Sequence, residues 1–253
     1  MIKWIYEMGL SSLVYYVFHI LGFVAVLLFN IWFCKKYEIS KRKAVITTLI
    51  AYPIVYVLIY VLCWAESGFK NFGGNNIVRG FVYIPLVVYP VAKLLKIEWK
   101  RICDFVAPCV CVCQGVSHIG CIFTGCCEGY PSNWGIYHHR FNALLFPVQL
   151  FEAATALIIV GFLVFRANKL HYKTDGLSYP IMLILFGSTR FLWEFARNNE
   201  KIWLGCSALA FHALFMVIVG MDMFFTIREK AKKEERKLES YIHNPNKTRR
   251  RLK

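Results

Sequence analysis

The chain has 253 residues, is 58% hydrophobic and carries a formal net charge of +15, with a mean hydropathy of +0.48. So much apolar surface excludes an ordinary soluble domain and makes the bilayer the expected solvent. The positive charge does not point to nucleic acid: it lies in short clusters between apolar runs and in the C-terminal stretch, where Lys and Arg set topology and hold anionic lipid.

Taken in order, Ser11 to Phe33 and Ala44 to Trp64 are runs of 23 and 21 residues without Asp, Glu, Lys or Arg, each long enough to cross a ~30 Å hydrocarbon core at ~1.5 Å per residue. The first is too long for a cleaved signal and is read as a retained helix. Gly80 to Leu95 is broken by Pro85 and Pro90 and starts beside Arg79; such a span survives in lipid only where neighbouring helices or water satisfy its freed carbonyls. Ile102 to Phe123 holds Gln114 and His118, Pro147 to Phe165 holds Glu152, Leu177 to Phe195 holds Arg190 and Glu194, and Trp203 to Phe225 holds His212. The fold class expected is therefore all-α, a polytopic membrane protein of seven transmembrane helices. Residues 1–227 form the membrane domain and 228–253 a basic cytoplasmic tail, whose first half extends the last span as far as Asn244-Pro245-Asn246.

Basic residues alternate with the spans. Lys35, Lys36, Lys41, Arg42 and Lys43 follow span one; Lys93, Lys96, Lys100 and Arg101 follow span three; Arg166, Lys169 and Lys173 follow span five; the tail begins at Arg228. This bias predicts an N-terminus outside and a C-terminus in the cytoplasm. With that orientation His118, Arg190 and Glu152 fall in one layer, about 8 Å below the outer interface. His19 and His212 lie slightly deeper, Arg79 at the outer mouth of span three, and Asp104 and Asp222 near enough to the inner surface to snorkel. A buried arginine costs roughly 2.5–3.5 kcal/mol even on the insertion scale and needs a partner or a wet cavity; Glu194, four residues on, is the simplest partner.

Chemistry concentrates in Ser117-His118-Ile119-Gly120-Cys121-Ile122-Phe123-Thr124-Gly125-Cys126-Cys127-Glu128-Gly129. Cys109, Cys111 and Cys113 alternate along a helix and read as small apolar packing residues. Cys121, Cys126 and Cys127 lie at the outer end, where Cys121 and Cys126 are close enough in sequence for a bridge across the turn. No CxxC and no second Cys/His pair follows, so no metal is expected. Small glycines and cysteines here let backbone approach its neighbours or a ligand.

Three segments carry a family resemblance: His118 to Gly129, then Pro147-Val148-Gln149-Leu150-Phe151-Glu152, then Phe186-Gly187-Ser188-Thr189-Arg190-Phe191-Leu192-Trp193-Glu194-Phe195-Ala196-Arg197. In order and spacing this set resembles the bacterial prolipoprotein diacylglyceryl transferases. The resemblance implies transfer of a diacylglyceryl group from phosphatidylglycerol to the lipobox cysteine thiol of a prolipoprotein, at the outer face of the cytoplasmic membrane, with no cofactor. It implies Arg190, His118 and Glu152 as catalytic residues. Arg190 holds the departing phosphate and His118 is the base, with Glu152 and His212 as alternatives. Arg79, Gly120, Gly125, Gly129, Glu194 and Arg197 are the expected substrate-binding set. Many members carry arginine at the position of His118 and asparagines at those of Cys121 and Thr124, and Arg79 is the expected replacement for the missing charge. Two other classes are a thiol-redox or metal protein using Cys121, Cys126 and Cys127, and a lipid-binding or transport protein without chemistry.

Overall fold

The computed structural model describes residues 10–70, 77–138 and 141–243. Helix α1 is Ser11–Phe33, continued by a 3-10 turn at Cys34–Tyr37, and α2 is Lys41–Glu66, opened by the side chain of Ser40, which accepts from the backbone N–H of Lys43. The proline-broken span becomes two pieces, α3 at Ile77–Phe81 and α4 at Ile84–Leu95. The break falls at Val82-Tyr83, just before Pro85, which sits in the first turn of α4, where its missing N–H costs nothing. Four longer helices complete the bundle: α5 at Trp99–Thr124, α6 at Val148–Lys169, α7 at Ser178–Glu194 and α8 at Ala208–His243. Between α5 and α6 runs a two-stranded antiparallel hairpin, β1 at Pro131–His138 and β2 at Ala143–Leu145, paired in register Tyr137↔Leu144 and His138↔Ala143.

Among the described residues five helices are long and apolar enough to cross a membrane: Ser11–Tyr37, Lys41–Glu66, Trp99–Thr124, Val148–Lys169 and Ala208–Glu239. The protein is thus a helical, multi-pass membrane protein. The other two expected spans correspond to α3 with α4 and to α7, which at 17 residues is shorter than the rest. Large apolar side chains such as Leu13, Ile20, Leu28, Ile158, Ile218 and Phe225 face outward, as lipid-facing surfaces require. Helix α8 runs without interruption past residue 228 to His243; residues 244–253 lie outside the described residues.

Helix α5 is the axis of the bundle, with 89% of its most apolar stretch buried. It packs mainly on α1 and α6. Cys109, Cys111 and Cys113 are buried within it, and the Cys109 thiol donates to Oδ1 of Asn30 on α1, which agrees with their reading as packing residues. Close approach of α1 depends on Gly120: a Cβ there meets Cβ of Phe18 at 2.7 Å.

At the other end of α5, Asp104 does not snorkel. It is 1% exposed, and its carboxylate accepts from the backbone N–H groups of Gly176 at 2.9 Å and Ser178 at 2.8 Å, anchoring the start of α7. Two otherwise orphaned donors at a helix N-terminus explain why burial wins over exposure. Asp104→Ala is expected to cost about 1–3 kcal/mol for each donor left unpaired, read as a lower unfolding midpoint of the detergent-solubilised protein.

Candidate active site

Four charged side chains converge at one end of the bundle. Glu152 comes from the first turns of α6, Arg190 and Glu194 from the last turns of α7, and Arg197 from the turn that follows. All are nearly inaccessible: Arg197 1%, Glu194 2%, Arg190 3% and Glu152 3%. Glu152 is the shared acceptor. Its Oε1 accepts from Nη1 of Arg190 and from Nε of Arg197 at 3.1 Å, and its Oε2 accepts from Nη2 of Arg197. Nδ1 of His118 lies 3.1 Å from the same Oε2 and 2.7 Å from the amide of Gln114, one turn earlier on α5. Glu194 supplies the second negative charge, 3.2 Å from Nη2 of Arg190 and 3.8 Å from Nε of Arg197. It is itself held by Ser207 Oγ at 2.6 Å and by Asn199.

Two guanidinium groups and two carboxylates make the cluster neutral when His118 is uncharged. That balance offsets the cost of burial, since an unpaired buried ion costs several kcal/mol. One donor is left over: Nε of Arg190 has no hydrogen-bond partner among the described residues.

Backbone pairing sets Arg197 in place. Gly129 forms an isolated antiparallel bridge with Arg197, flanked by Tyr130 N–H to Ala196 O at 3.2 Å and Asn198 N–H to Glu128 O at 3.1 Å. A Cβ on Gly129 meets Phe146 O at 2.6 Å and Ala196 O at 2.9 Å, so only glycine allows this crossing. Gly125 ends α5 in the left-handed region at φ 65°. Gly120, Gly125 and Gly129 therefore serve packing and turning, and none of the three lines the cavity described next.

That cavity, about 390 Å³, opens between α1, α2 and the end of α5. Arg190, Arg197, His118 and Gln114 line it on one side. On the other stand Tyr15, Tyr16 and His19 of α1 and the row Tyr52, Tyr56 and Tyr60 of α2, one turn apart. A smaller apolar pocket of about 90 Å³ shares Tyr52, Val55 and Cys113 with it and continues along Val26, Ala51 and Val88.

Of the residues singled out from sequence, His118, Glu152, Arg190, Glu194 and Arg197 come together. Arg79 does not. Its Nε lies 2.5 Å from Oε2 of Glu66, its Nη1 donates to Cys63 Sγ, and Glu66 also meets Nε2 of His212 at 3.0 Å. Both Arg79 and His212 line a separate small pocket, and the guanidinium that lies beside His118 is that of Arg197, 3.3 Å from its Nε2. Gln114 and the tyrosine row are not among the site residues expected from the sequence, although a polar residue four before His118 and three tyrosines at period four are visible there. Ser207 and Asn199 gave no such signal.

Cys121, Cys126 and Cys127 border the same cavity, and all ten cysteines are free thiols. A ring nitrogen of His118 and the Sγ atoms of Cys121 and Cys127 lie within 4.8 Å of one another, a spacing that could hold a metal ion among the described residues. Cys127, in the turn beyond α5, has its thiol held well below the usual range by hydrogen bonds with the thiols of Cys121 and Cys126 and by the nearby charge of Arg197.

A multi-pass helical bundle encloses a buried, charge-balanced arginine–carboxylate cluster beside a hydroxyl-lined cavity, the arrangement of a membrane protein with an internal polar site. The chain belongs to the prolipoprotein diacylglyceryl transferase family, whose family model matches residues 4–226. Among its relatives is phosphatidylglycerol–prolipoprotein diacylglyceryl transferase 2 of Clostridium perfringens, 27% identical over 176 residues, which make up 66% of this chain and 68% of the relative. The corresponding enzyme of Clostridium tetani is 26% identical over 164 residues, 61% of this chain and 65% of the relative. That of Dehalococcoides mccartyi is 24% identical over 232 residues, 85% of this chain and 88% of the relative.

Proposed function

We propose that the protein transfers a diacylglyceryl group from phosphatidylglycerol to the lipobox cysteine thiol of a prolipoprotein. The observation that carries this reading, beside family membership, is the unpaired Nε of Arg190 in an otherwise neutral cluster at the cavity wall. A phosphate diester brings one negative charge, and a guanidinium with a free donor, already oriented by Glu152 and Glu194, is suited to receive it. As the C–O bond to the diacylglyceryl carbon breaks, charge grows on the phosphate that departs as glycerol phosphate, and fixed cations stabilise that charge more than the ground state. Arg190 has this role, with Arg197 beside it. His118, oriented by Glu152 and Gln114, prepares the acceptor's thiol for attack. The tyrosine row offers hydroxyl partners to the glycerol head group, and the apolar pocket beyond Tyr52 offers space to an acyl chain.

The alternating basic loops support seven spans with the N-terminus outside and the C-terminus in the cytoplasm, which puts the cluster near the outer leaflet, where both substrates meet. The bacterial relatives support a place in the cytoplasmic membrane. Arg79 and His212 are left out of the assignment because Glu66 holds both. The thiol-redox and non-catalytic readings are not favoured by family membership.

The test is complementation of a transferase-depleted bacterium, read by incorporation of labelled glycerol into lipoprotein. Restored incorporation is the expected result; a stably expressed protein that restores none would overturn the reading.

A further inference from the structure

The sulfur atoms beside His118 allow a step that rests on the transferase reading and sharpens it. His118 and Cys121 stand three residues apart on one face of α5, and the left-handed turn at Gly125 and Cys127, with φ 65° and 63°, carries the Cys127 thiol back to them. In tetrahedral zinc sites with bonds of about 2.0–2.3 Å, neighbouring nitrogen and sulfur ligands stand about 3.5–3.8 Å apart. From separations within 4.8 Å, closing on an ion takes side-chain shifts of about 1 Å.

Two further features point to a ligand. Nδ1 of His118 faces the Glu152 carboxylate at 3.1 Å, the outer partner that orients a metal-bound imidazole and leaves its other nitrogen as the ligand. That other nitrogen, Nε2, is 3.3 Å from Nη2 of Arg197, a long contact that Arg197 can give up because Glu152 holds it through two other hydrogen bonds. In addition, His118, Cys121 and Cys127 all line the main cavity, so a fourth coordination position opens towards the substrates. Three protein ligands with an open position is the plan of a catalytic, not a structural, zinc site.

We propose that His118, Cys121 and Cys127 hold a zinc ion whose open position binds the acceptor's cysteine as a thiolate. The two cysteine thiolates balance the charge of Zn²⁺, so the ion adds none to the buried site. Coordination of the acceptor thiol releases its proton. The zinc-bound sulfur then attacks the diacylglyceryl carbon, a C–S bond forms and the C–O bond breaks. The electron pair leaves on glycerol phosphate, which takes up a proton as it departs. Nothing is oxidised or reduced, which suits a redox-inert ion. His118 thereby makes the thiolate as a ligand of the ion rather than by taking the proton itself.

The test uses the full chain in detergent, stripped with a chelator and reloaded with Co²⁺ or Zn²⁺. One equivalent of Co²⁺ is expected, with the thiolate-to-cobalt charge-transfer absorption and the intense visible bands of a tetrahedral site. Cys121→Ser and Cys127→Ser are each expected to weaken Co²⁺ binding by at least about tenfold, and Cys206→Ser to leave it unchanged. Transfer of labelled glycerol is expected to be lost on stripping and to return with Zn²⁺ alone. A folded wild-type protein without the tetrahedral spectrum overturns the proposal, as does a Cys121–Cys127 disulfide in protein taken from membranes without reductant. Full transfer by the stripped protein overturns it too and leaves the transferase reading standing. Stoichiometric zinc with no transfer under any loading supports the site but overturns both its role with the acceptor and the transferase reading.

Discussion

Arg190→Ala is expected to lower lipid transfer by about 10²–10³-fold, the loss typical of removing one fixed group that stabilises developing charge. The substitution also leaves Glu152 and Glu194 sharing Arg197 alone, and an uncompensated buried charge costs roughly 3–5 kcal/mol. Lost stability and lost chemistry are separated by the double variant Arg190→Ala/Glu194→Gln. It restores charge balance and is expected to regain most of the unfolding midpoint while staying inactive. Arg190→Lys keeps the charge but not the planar fork that spans Glu152, Glu194 and a phosphate, so partial activity is expected. Wild-type labelling of lipoprotein by Arg190→Ala, at matched protein levels, would remove Arg190 from the mechanism.

Glu152→Gln is expected to be the most destabilising single change at the site. One carboxylate accepts from Arg190 and Arg197 and orients His118, so removing its charge leaves two guanidinium groups facing Glu194. A loss of about 3–5 kcal/mol follows, measured as the unfolding midpoint in detergent, with transfer falling at least as far as in Arg190→Ala. Glu66→Gln provides the contrast. Its ion pair with Arg79 lies outside the cluster and is 37% exposed at the carboxylate, where such pairs contribute about 0–1 kcal/mol. Transfer by that variant is expected to remain within about twofold of wild type. A larger loss with Glu66→Gln than with Glu152→Gln would mean that the wrong cluster has been assigned.

Much of the fold was legible because lipid imposes a simple rule: apolar helices long enough to cross. The first apolar run coincides with Ser11–Phe33, and the ends of α2, α5 and α6 lie only a few positions from those of their apolar runs. Where the rule was weakest the reading was coarser. The prolines made a single broken span into α3 and α4, and the last helix began five residues later than Trp203 because Trp203 and Cys206 close a tight turn instead. Depth along each span also placed His118, Glu152 and Arg190 in one layer correctly, since rise per residue is nearly constant. Depth says nothing about direction around the helix axis. It therefore put Arg79 and His212 near the site, although their helices turn them to Glu66.

The sequence by itself determined that this is a helical membrane protein, that His118, Glu152 and Arg190 share one level of the bundle, and, through three ordered motifs, its family. These follow from length, hydropathy and spacing, which are properties of the chain read locally. Only the tertiary structure decided which charges meet. Arg197 stood at the edge of the motif and proved to be a central partner of Glu152, because a backbone crossing at Gly129 carries it inward. Cys127, six residues past Cys121, returns to His118 because two left-handed residues reverse the chain. Neither contact has a periodic signature, since both arise where a helix has ended and the chain changes direction.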